Sequence, residues 1–449
     1  MKSPAGHRGR RVHRLPFRAD RFATAAALAS AAAGPYMVYE NDGTVCWAEG
    51  AKATVTARGG GAVLDVGGER REFEPGSSPL DAVGEALDAL PYSGWRAYGW
   101  LSFELSHALH LPEPVPPATP VAHLTVPRWE IRLGPDVAEL RADDDAGLNA
   151  LRERLARAIR DGAAGPAPER VAVDADGHDA DAYRKAVGEA LREIGAGRLE
   201  KVILSRTVPV DGGLDLPATY LAGRRGNSPA RSFLLRLGGW EAAGFSPEIV
   251  VRVTADGWVA TQPLAGTRAF EGDAAADAAR RRELYRDAKE VYEHAISVRL
   301  AAEELGEVCE PGTVRVRDFM SVKERGSVQH LASELSGRLR PGAGPWDALA
   351  RLFPAVTVSG IPKAAACELI RRHEGTDRGL YGGAVLTADA DGTIDAALVL
   401  RTVFRRGGRT WLRAGAGIVA QSSPGRELEE TREKLRSVSR FLVPAGGAS

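Results

Sequence analysis

Asp-Gly and Gly-Gly turns recur through the second half of this chain and constrain its fold more than any other feature. TADGWV around Asp256 and Gly257 and RRGGRT around Gly407 and Gly408 each separate two runs rich in β-branched and aromatic residues. Such dipeptides accept the positive backbone angles of two-residue hairpins, so the flanking runs are expected to pair antiparallel. Strand-like runs in this half are KVILSRTVPV, SFLLRLGG, EIVVRVTADGWVATQ, GLYGGAVLTAD and DAALVLRTVFRRGGRTWLRAGAGIV. Long helical segments fall between them, among them DADAYRKAVGEALREIGAG, which ends at a glycine. Upstream, residues 35 to about 140 alternate shorter runs (YMVYEN, CWAEG, ATVTARG, AVLDVGG) with turns, followed by a helix DAVGEALDAL and the run WRAYGWLSFEL. Hairpin-paired strands with helices inserted between them imply an α+β protein: layered antiparallel sheets with helices packed outside, not a doubly wound parallel sheet. No GxGxxG follows a first strand and no GxxxxGK[ST] occurs, so neither a dinucleotide site nor a P-loop is expected.

At 449 residues the chain is too long for one small core. Two regions are expected, 1–165 forming sheet and 166–449 carrying the site, intertwined as one large domain. PEPVPPATP reads as an extended loop and RDGAAGPAPER as the linker. Acidic and basic residues balance at 59 each, which gives no reason to expect a nucleic-acid or membrane partner. Cys46, Cys309 and Cys367 lack CxxC spacing, which fits a reduced, cytoplasmic setting without disulfides or structural zinc. The basic stretch HRGRRVHR and the alanines from Ala25 to Ala33 superficially resemble a targeting segment. Alanine is too weakly apolar for that role, so a short helix or loose tail before MVYEND is expected, and no run approaches the ~20 apolar residues of a membrane span.

The strongest chemical signal is a repeated spacing. Glu290 and Glu293 lie in KEVYEHAISVRLAAEEL, Glu427 and Glu430 in RELEETREKL, and both stretches read as helices. Residues three apart share a helix face, so each pair can aim two carboxylates at one point. Two such helices facing each other would make an oxygen-only cluster suited to Mg²⁺, whereas isolated ExxE pairs are simply solvated faces. Of 59 basic residues only eight are lysines, and four of them, Lys201, Lys289, Lys363 and Lys434, fall in the segments that look most like chemistry. Where arginine is the default cation, a retained lysine suits a role arginine cannot fill, such as giving up a proton.

Other residues are ambiguous alone. Lys201 opens a strand and is either a general base or a strand-end surface group. Glu248 in GFSPEIV is either a carboxyl raised by burial for acid work or an ordinary turn residue. PLAGTR, with Gly266 and Thr267, and RAGAGIV, with Gly415 and Gly417, could bring backbone N–H groups to an anion, although hairpin glycine needs no ligand. Ser359 in SGIPK is expected near a helix cap that faces an anion. Tyr381 and Arg401 could clamp a carboxylate, and His330 could orient a substrate or sit satisfied in the core. His107 and His110 read as structural.

Together KVILSR, FSPEIV, PLAGTR, KEVYEHAISVR, RGSVQHL, FPAVTVSGIPK, GLYGGAV, RAGAGIV and ELEETREKL, in that order, resemble the chorismate-utilising enzymes, and the resemblance is dense from 180 to 440. That family comprises the anthranilate, aminodeoxychorismate, isochorismate and salicylate synthases. The resemblance implies that Mg²⁺, held by Glu290, Glu293, Glu427 and Glu430, meets the ring carboxylate of chorismate. It implies that Lys201 activates water for attack at C2 while Glu248 protonates the departing C4 hydroxyl. Tyr381 and Arg401 would hold the enolpyruvyl carboxylate, with Gly266, Thr267, Gly415 and Gly417 lining the pocket and Lys434 near its anionic end. A lysine at 201 favours water over ammonia as nucleophile. RGSVQHL with His330, together with Thr357 and SGIPK, resembles the salicylate-forming branch, in which isochorismate goes on to salicylate and pyruvate. Release of isochorismate is the alternative, and a silent chorismate-binding regulator a further one. Members of that branch are often monomeric, and a monomer is expected.

Overall fold

The computed structural model describes residues 10–112, 115–116, 118–162, 169–326 and 328–446. Most of the anticipated linker and part of PEPVPPATP lie outside the described residues. Two large antiparallel sheets form the body, one of 11 strands and one of 12. The first runs, in spatial order, Arg11–Pro16, Val137–Ala142, Trp129–Leu133, Thr44–Glu49, Tyr36–Asn41, Arg231–Leu237, Trp240–Ser246, Thr402–Arg406, Arg409–Ile418, Lys201–Pro209 and Gly360–Ile361. The second is built around Val328–Arg338, Ile249–Val253, Ile394–Leu398, Ala384–Asp389 and Arg96–Leu101. The α+β expectation holds.

Each sheet joins a block of strands from before residue 165 to a block from after it at a single seam, Tyr36–Asn41 beside Arg231–Leu237 in the first and Arg96–Leu101 beside Ala384–Asp389 in the second. Met37 lies opposite Leu235 in the first and Trp100 opposite Val385 in the second. Between the two sheets lies an aromatic layer that includes Tyr39, Trp100, Phe233 and Phe404. A polar clasp crosses the same layer. Arg231 donates two hydrogen bonds of 2.8 Å to Asp395, and the Tyr39 hydroxyl donates to the same carboxylate at 2.5 Å. A buried ion pair repays its desolvation only with good geometry and additional hydrogen bonds, and here the bidentate arginine and the tyrosine together give the carboxylate three.

Helices cover the outer faces. Arg21–Ser30, Asp145–Asp161 and Leu216–Gly226 pack on the first sheet, and Pro79–Asp88, Ala288–Val308 and Pro345–Leu352 on the second. The stretch expected to be a short helix or loose tail is two elements. Helix Arg21–Ser30 is preceded by a strand, Arg11–Pro16, which pairs with Val137–Ala142 at the sheet edge. An edge strand with one partner can stay polar, so it carries little periodic signal. Among the described residues no helix is long and apolar enough to cross a membrane.

Candidate active site

The two glutamate helices form where expected. Ala288–Val308 starts at Asp287, whose carboxylate accepts from the backbone N–H groups of Lys289 and Glu290, and Pro424–Ser439 starts with Pro424 at its first turn. Strand Lys201–Pro209 pairs antiparallel with Arg409–Ile418, with Ser205 opposite Gly415 and Ile203 opposite Gly417. Because alternate residues share a strand face, Gly415 and Gly417 open the same side of the sheet. A Cβ on Gly417 would sit 2.1 Å from Glu293 Oε1, and one on Gly415 would sit 2.9 Å from the Tyr381 hydroxyl. The glycine-rich run thus gives room to the carboxylate and phenol, which is why those positions lack side chains.

Above this floor is a cavity, and twelve of the fifteen residues singled out from the sequence line it. Lys201, Glu290 and Glu427 are the other three, and they stand one layer behind. Lys201 is fully buried, with its ammonium 2.9 Å from Glu293 Oε1 and donating to Ser297 Oγ at 3.0 Å. Glu293, which does line the cavity, therefore separates Lys201 from the open space in this state.

Glu248 sits in the loop between Trp240–Ser246 and Ile249–Val253, only 3 % exposed. Burial pushes its carboxyl up to about 8, against partial relief from a 2.6 Å hydrogen bond donated by Thr357 and from the charge of Lys201. It is a neutral acid near neutral pH, the state a proton donor needs. Across the cavity Arg401 occupies a positive backbone φ of 50° in the bend before Thr402–Arg406. Such backbone strain concentrates at working sites. Its guanidinium donates to the Arg325 carbonyl at 3.1 Å and to His330 Nε2, with no carboxylate in ion-pair range among the described residues. Burial, with repulsion from Arg325, pulls its pKa down to about 9. An arginine in that position lacks an anion.

His330 is correspondingly fixed. Arginine cannot accept, so Nε2 accepts from Arg401 and Nδ1 carries the proton toward Gly266 O or Thr267 Oγ1, at 3.3 and 3.1 Å. Burial and the neighbouring cations hold its pKa well below the ordinary imidazole range. Gly266, at φ 82°, makes a bulge in Leu264–Ala269 that turns the Thr267 N–H onto Glu290 Oε2 at 3.1 Å. Lys434 donates to Gly415 O at 2.9 Å and to Glu430 at 2.7 Å.

The four glutamates converge. Burial, then the charge of Glu430, raises both Glu290 and Glu427 to about 7. Burial acts upward on Glu430 too, but Lys434 and Lys289 outweigh it and hold that carboxyl low, to about 2. Among the described residues no three acidic, histidine or cysteine side chains already stand in metal-holding positions. The Lys289 ammonium stands among the glutamates instead, 3.1 Å from Glu427 Oε1, an oxygen that takes no hydrogen bond. The donor set is carboxylate oxygen alone, with an orphaned buried atom and two carboxyls whose ionised forms lack enough positive charge nearby, and it fits a hard divalent cation.

Some of the surroundings were not legible in sequence. Arg268, which pairs with Glu290 at 3.2 Å, and Ser297 carry no motif of their own beyond adjacency to marked residues. A buried Glu374 takes hydrogen bonds from Arg378 and Arg413, whose guanidiniums each lie 5.6 Å from the Tyr381 ring centre and pin it. One expectation fails. Ser359 does not cap a helix: its hydroxyl donates to Ala355 O, Gly360–Ile361 adds a short strand, and the helix Lys363–Glu374 begins after Pro362. Lys363 in its first turn pairs with buried Glu304 at 2.5 Å, so no anion is received there.

Comparison with known proteins agrees with this geometry. The chorismate binding enzyme family matches residues 31–440. The chain is 44 % identical over 434 residues to a salicylate synthase of Mycolicibacterium paratuberculosis, covering 95 % of this chain and 94 % of that one. It is 38 % identical over 260 residues to anthranilate synthase component 1 of Spirochaeta aurantia, covering 58 % of this chain and 54 % of that one. Among solved structures, anthranilate synthase component I of Streptococcus pneumoniae superposes with a TM-score of 0.72 at 26 % identity, over 88 % of this chain and 92 % of that one. The menaquinone-specific isochorismate synthase of Escherichia coli superposes at 0.72 and 22 % identity, over 96 % and 94 %, a likeness of fold. By the span of the family match and the depth of the full-length similarity, the chain belongs to the chorismate binding enzymes.

Proposed function

We propose that this enzyme is a Mg²⁺-dependent salicylate synthase, which converts chorismate to isochorismate and then to salicylate and pyruvate. The observation that carries this reading is the 44 % identity to a salicylate synthase, sustained over nearly the whole of both chains. The site geometry supports it step by step. Chorismate carries two carboxylates, and the cavity offers Arg401, a buried guanidinium with no carboxylate partner among the described residues, beside Tyr381 for the enolpyruvyl one. Mg²⁺ bound by Glu290, Glu293, Glu427 and Glu430 would supply positive charge for the ring carboxylate.

In the first reaction a water adds its oxygen to C2, both ring double bonds shift, C1=C2 to C6=C1 and C5=C6 to C4=C5, and the C4–O bond breaks. Glu248, protonated at neutral pH, gives its proton to the leaving hydroxyl so that water departs. Lys201, acting as the free amine, takes the proton of the attacking water. In the second reaction the C2 hydrogen moves to the enolpyruvyl methylene as the C3–O bond breaks, giving pyruvate and the aromatic ring. That transfer needs the side chain held over C2 and no further base, which is a task for Arg401, Tyr381 and His330. We propose further that the protein works as a cytoplasmic monomer and that its salicylate feeds siderophore assembly.

The test is incubation with chorismate and Mg²⁺, products separated by chromatography, with a parallel tube containing ammonium. Salicylate and pyruvate in equal amounts are expected. Isochorismate that accumulates unconverted would make the enzyme an isochorismate synthase, and anthranilate in the ammonium tube would overturn the role given to Lys201.

A further inference from the structure

Each of the four cluster glutamates has its own cation: Arg268 lies 3.2 Å from Glu290, Lys201 2.9 Å from Glu293, Lys434 2.7 Å from Glu430 and Lys289 3.1 Å from Glu427. Lys289 differs from the other three. Among the described residues it alone has ion-pair contacts with all four, its remaining distances being 3.8 Å to Glu290, 3.9 Å to Glu293 and 3.8 Å to Glu430. It also stands in the first turn of the helix Ala288–Val308, where the macrodipole disfavours a cation. Only the surrounding carboxylates make that placement favourable. Its side chain keeps 11 % exposure, unlike the fully buried Lys201, so the flexible stem has a way out.

Resting on the metal reading above, we propose that Lys289 is an internal counter-ion: it holds the four-glutamate cluster together without metal, and it withdraws when a divalent cation enters. Mg²⁺ binds oxygen at roughly 2.1 Å, so the carboxylates must close by about 1 to 2 Å from their present stand-off around the ammonium. Metal and ammonium cannot share that space. A lysine suits the role better than an arginine because it is a compact charge on a flexible stem, and the chain otherwise uses arginine by default. The positioning task is to keep two facing helices, each with buried acids, from repelling one another before the ligands arrive.

The experiment compares the full-length wild type with Lys289→Met and Lys289→Arg, reading thermal unfolding with and without Mg²⁺ and Mg²⁺ affinity by calorimetry. Metal-free Lys289→Met is expected to melt several degrees lower than wild type and to recover on adding Mg²⁺. Its Mg²⁺ affinity is expected to rise about tenfold or more, because nothing has to be displaced. Lys289→Arg, which keeps the charge, is expected to keep the wild-type metal-free melting temperature, and it carries the stability comparison if the methionine variant does not fold. Unchanged metal-free stability in Lys289→Met, or weaker Mg²⁺ binding by it, would overturn the counter-ion role while leaving the metal reading intact. Absence of Mg²⁺ binding in wild type and variants alike would overturn both.

Discussion

At the scale of single residues the account rests on Glu248 being neutral. Its carboxyl ionises near 4.5 in the unfolded chain and near 8 in the folded one, so between those values the folded state binds the extra proton. Stability therefore falls as pH rises through that window, by on the order of a few kcal/mol in all. Glu248→Gln is expected to abolish turnover yet raise the melting temperature at pH 8, a difference that shrinks toward pH 4. In the wild type, turnover at saturating chorismate is expected to decline as pH passes about 8, and a profile flat to pH 10 would remove Glu248 as the acid. Gly417→Ala should cost about 10²-fold in turnover with cooperative unfolding retained, since its Cβ would displace the Glu293 carboxylate. The glutamate spacing and the glycine runs were readable in sequence because helix and strand periods fix which side chains share a face. Lys289 was readable only as an unusual lysine. Its relation to four carboxylates depends on how two helices meet across a sequence separation of 138 residues (Lys289 to Glu427), which no local pattern encodes.

At the scale of elements, the hairpins announced by Asp-Gly and Gly-Gly turns all form, and both glutamate helices lie where their spacing placed them. The hairpin of Arg315–Arg325 with Val328–Arg338 and the edge strand Arg11–Pro16 gave no such signal. Val328–Arg338 is buried on both faces, which erases alternation, whereas Arg11–Pro16 is largely exposed and Arg315–Arg325 is part-exposed without a buried face. The SGIPK stretch misled for a related reason. Ser359 has the chemistry of a cap, but strand pairing of Gly360 and Ile361 with Lys201 and Val202 captures the backbone first. The helix that follows is tied to the Glu290 helix by the buried Lys363–Glu304 pair. Glu304→Ala leaves Lys363 uncompensated and is expected to destabilise the protein by about 3 to 5 kcal/mol in denaturant unfolding. The double change Glu304→Leu with Lys363→Met should recover most of that loss.

At the scale of the molecule, the two sheets share strands from both ends of the chain, and the site is assembled from strand, loop and helix segments spread over more than 200 residues. A fragment beginning at residue 169 would expose the pairing edges of Arg231–Leu237 and Ala384–Asp389. It is expected to aggregate rather than fold, which size-exclusion chromatography and circular dichroism would establish; a soluble, cooperatively folding fragment would mean that the regions are separable. The central claim is that water attacks C2 and that its oxygen stays on the ring through both reactions. The most direct measurement is turnover of chorismate in H₂¹⁸O with mass spectrometry of the salicylate formed. The account predicts one ¹⁸O per molecule, in the phenolic oxygen, and salicylate formed without label would contradict it.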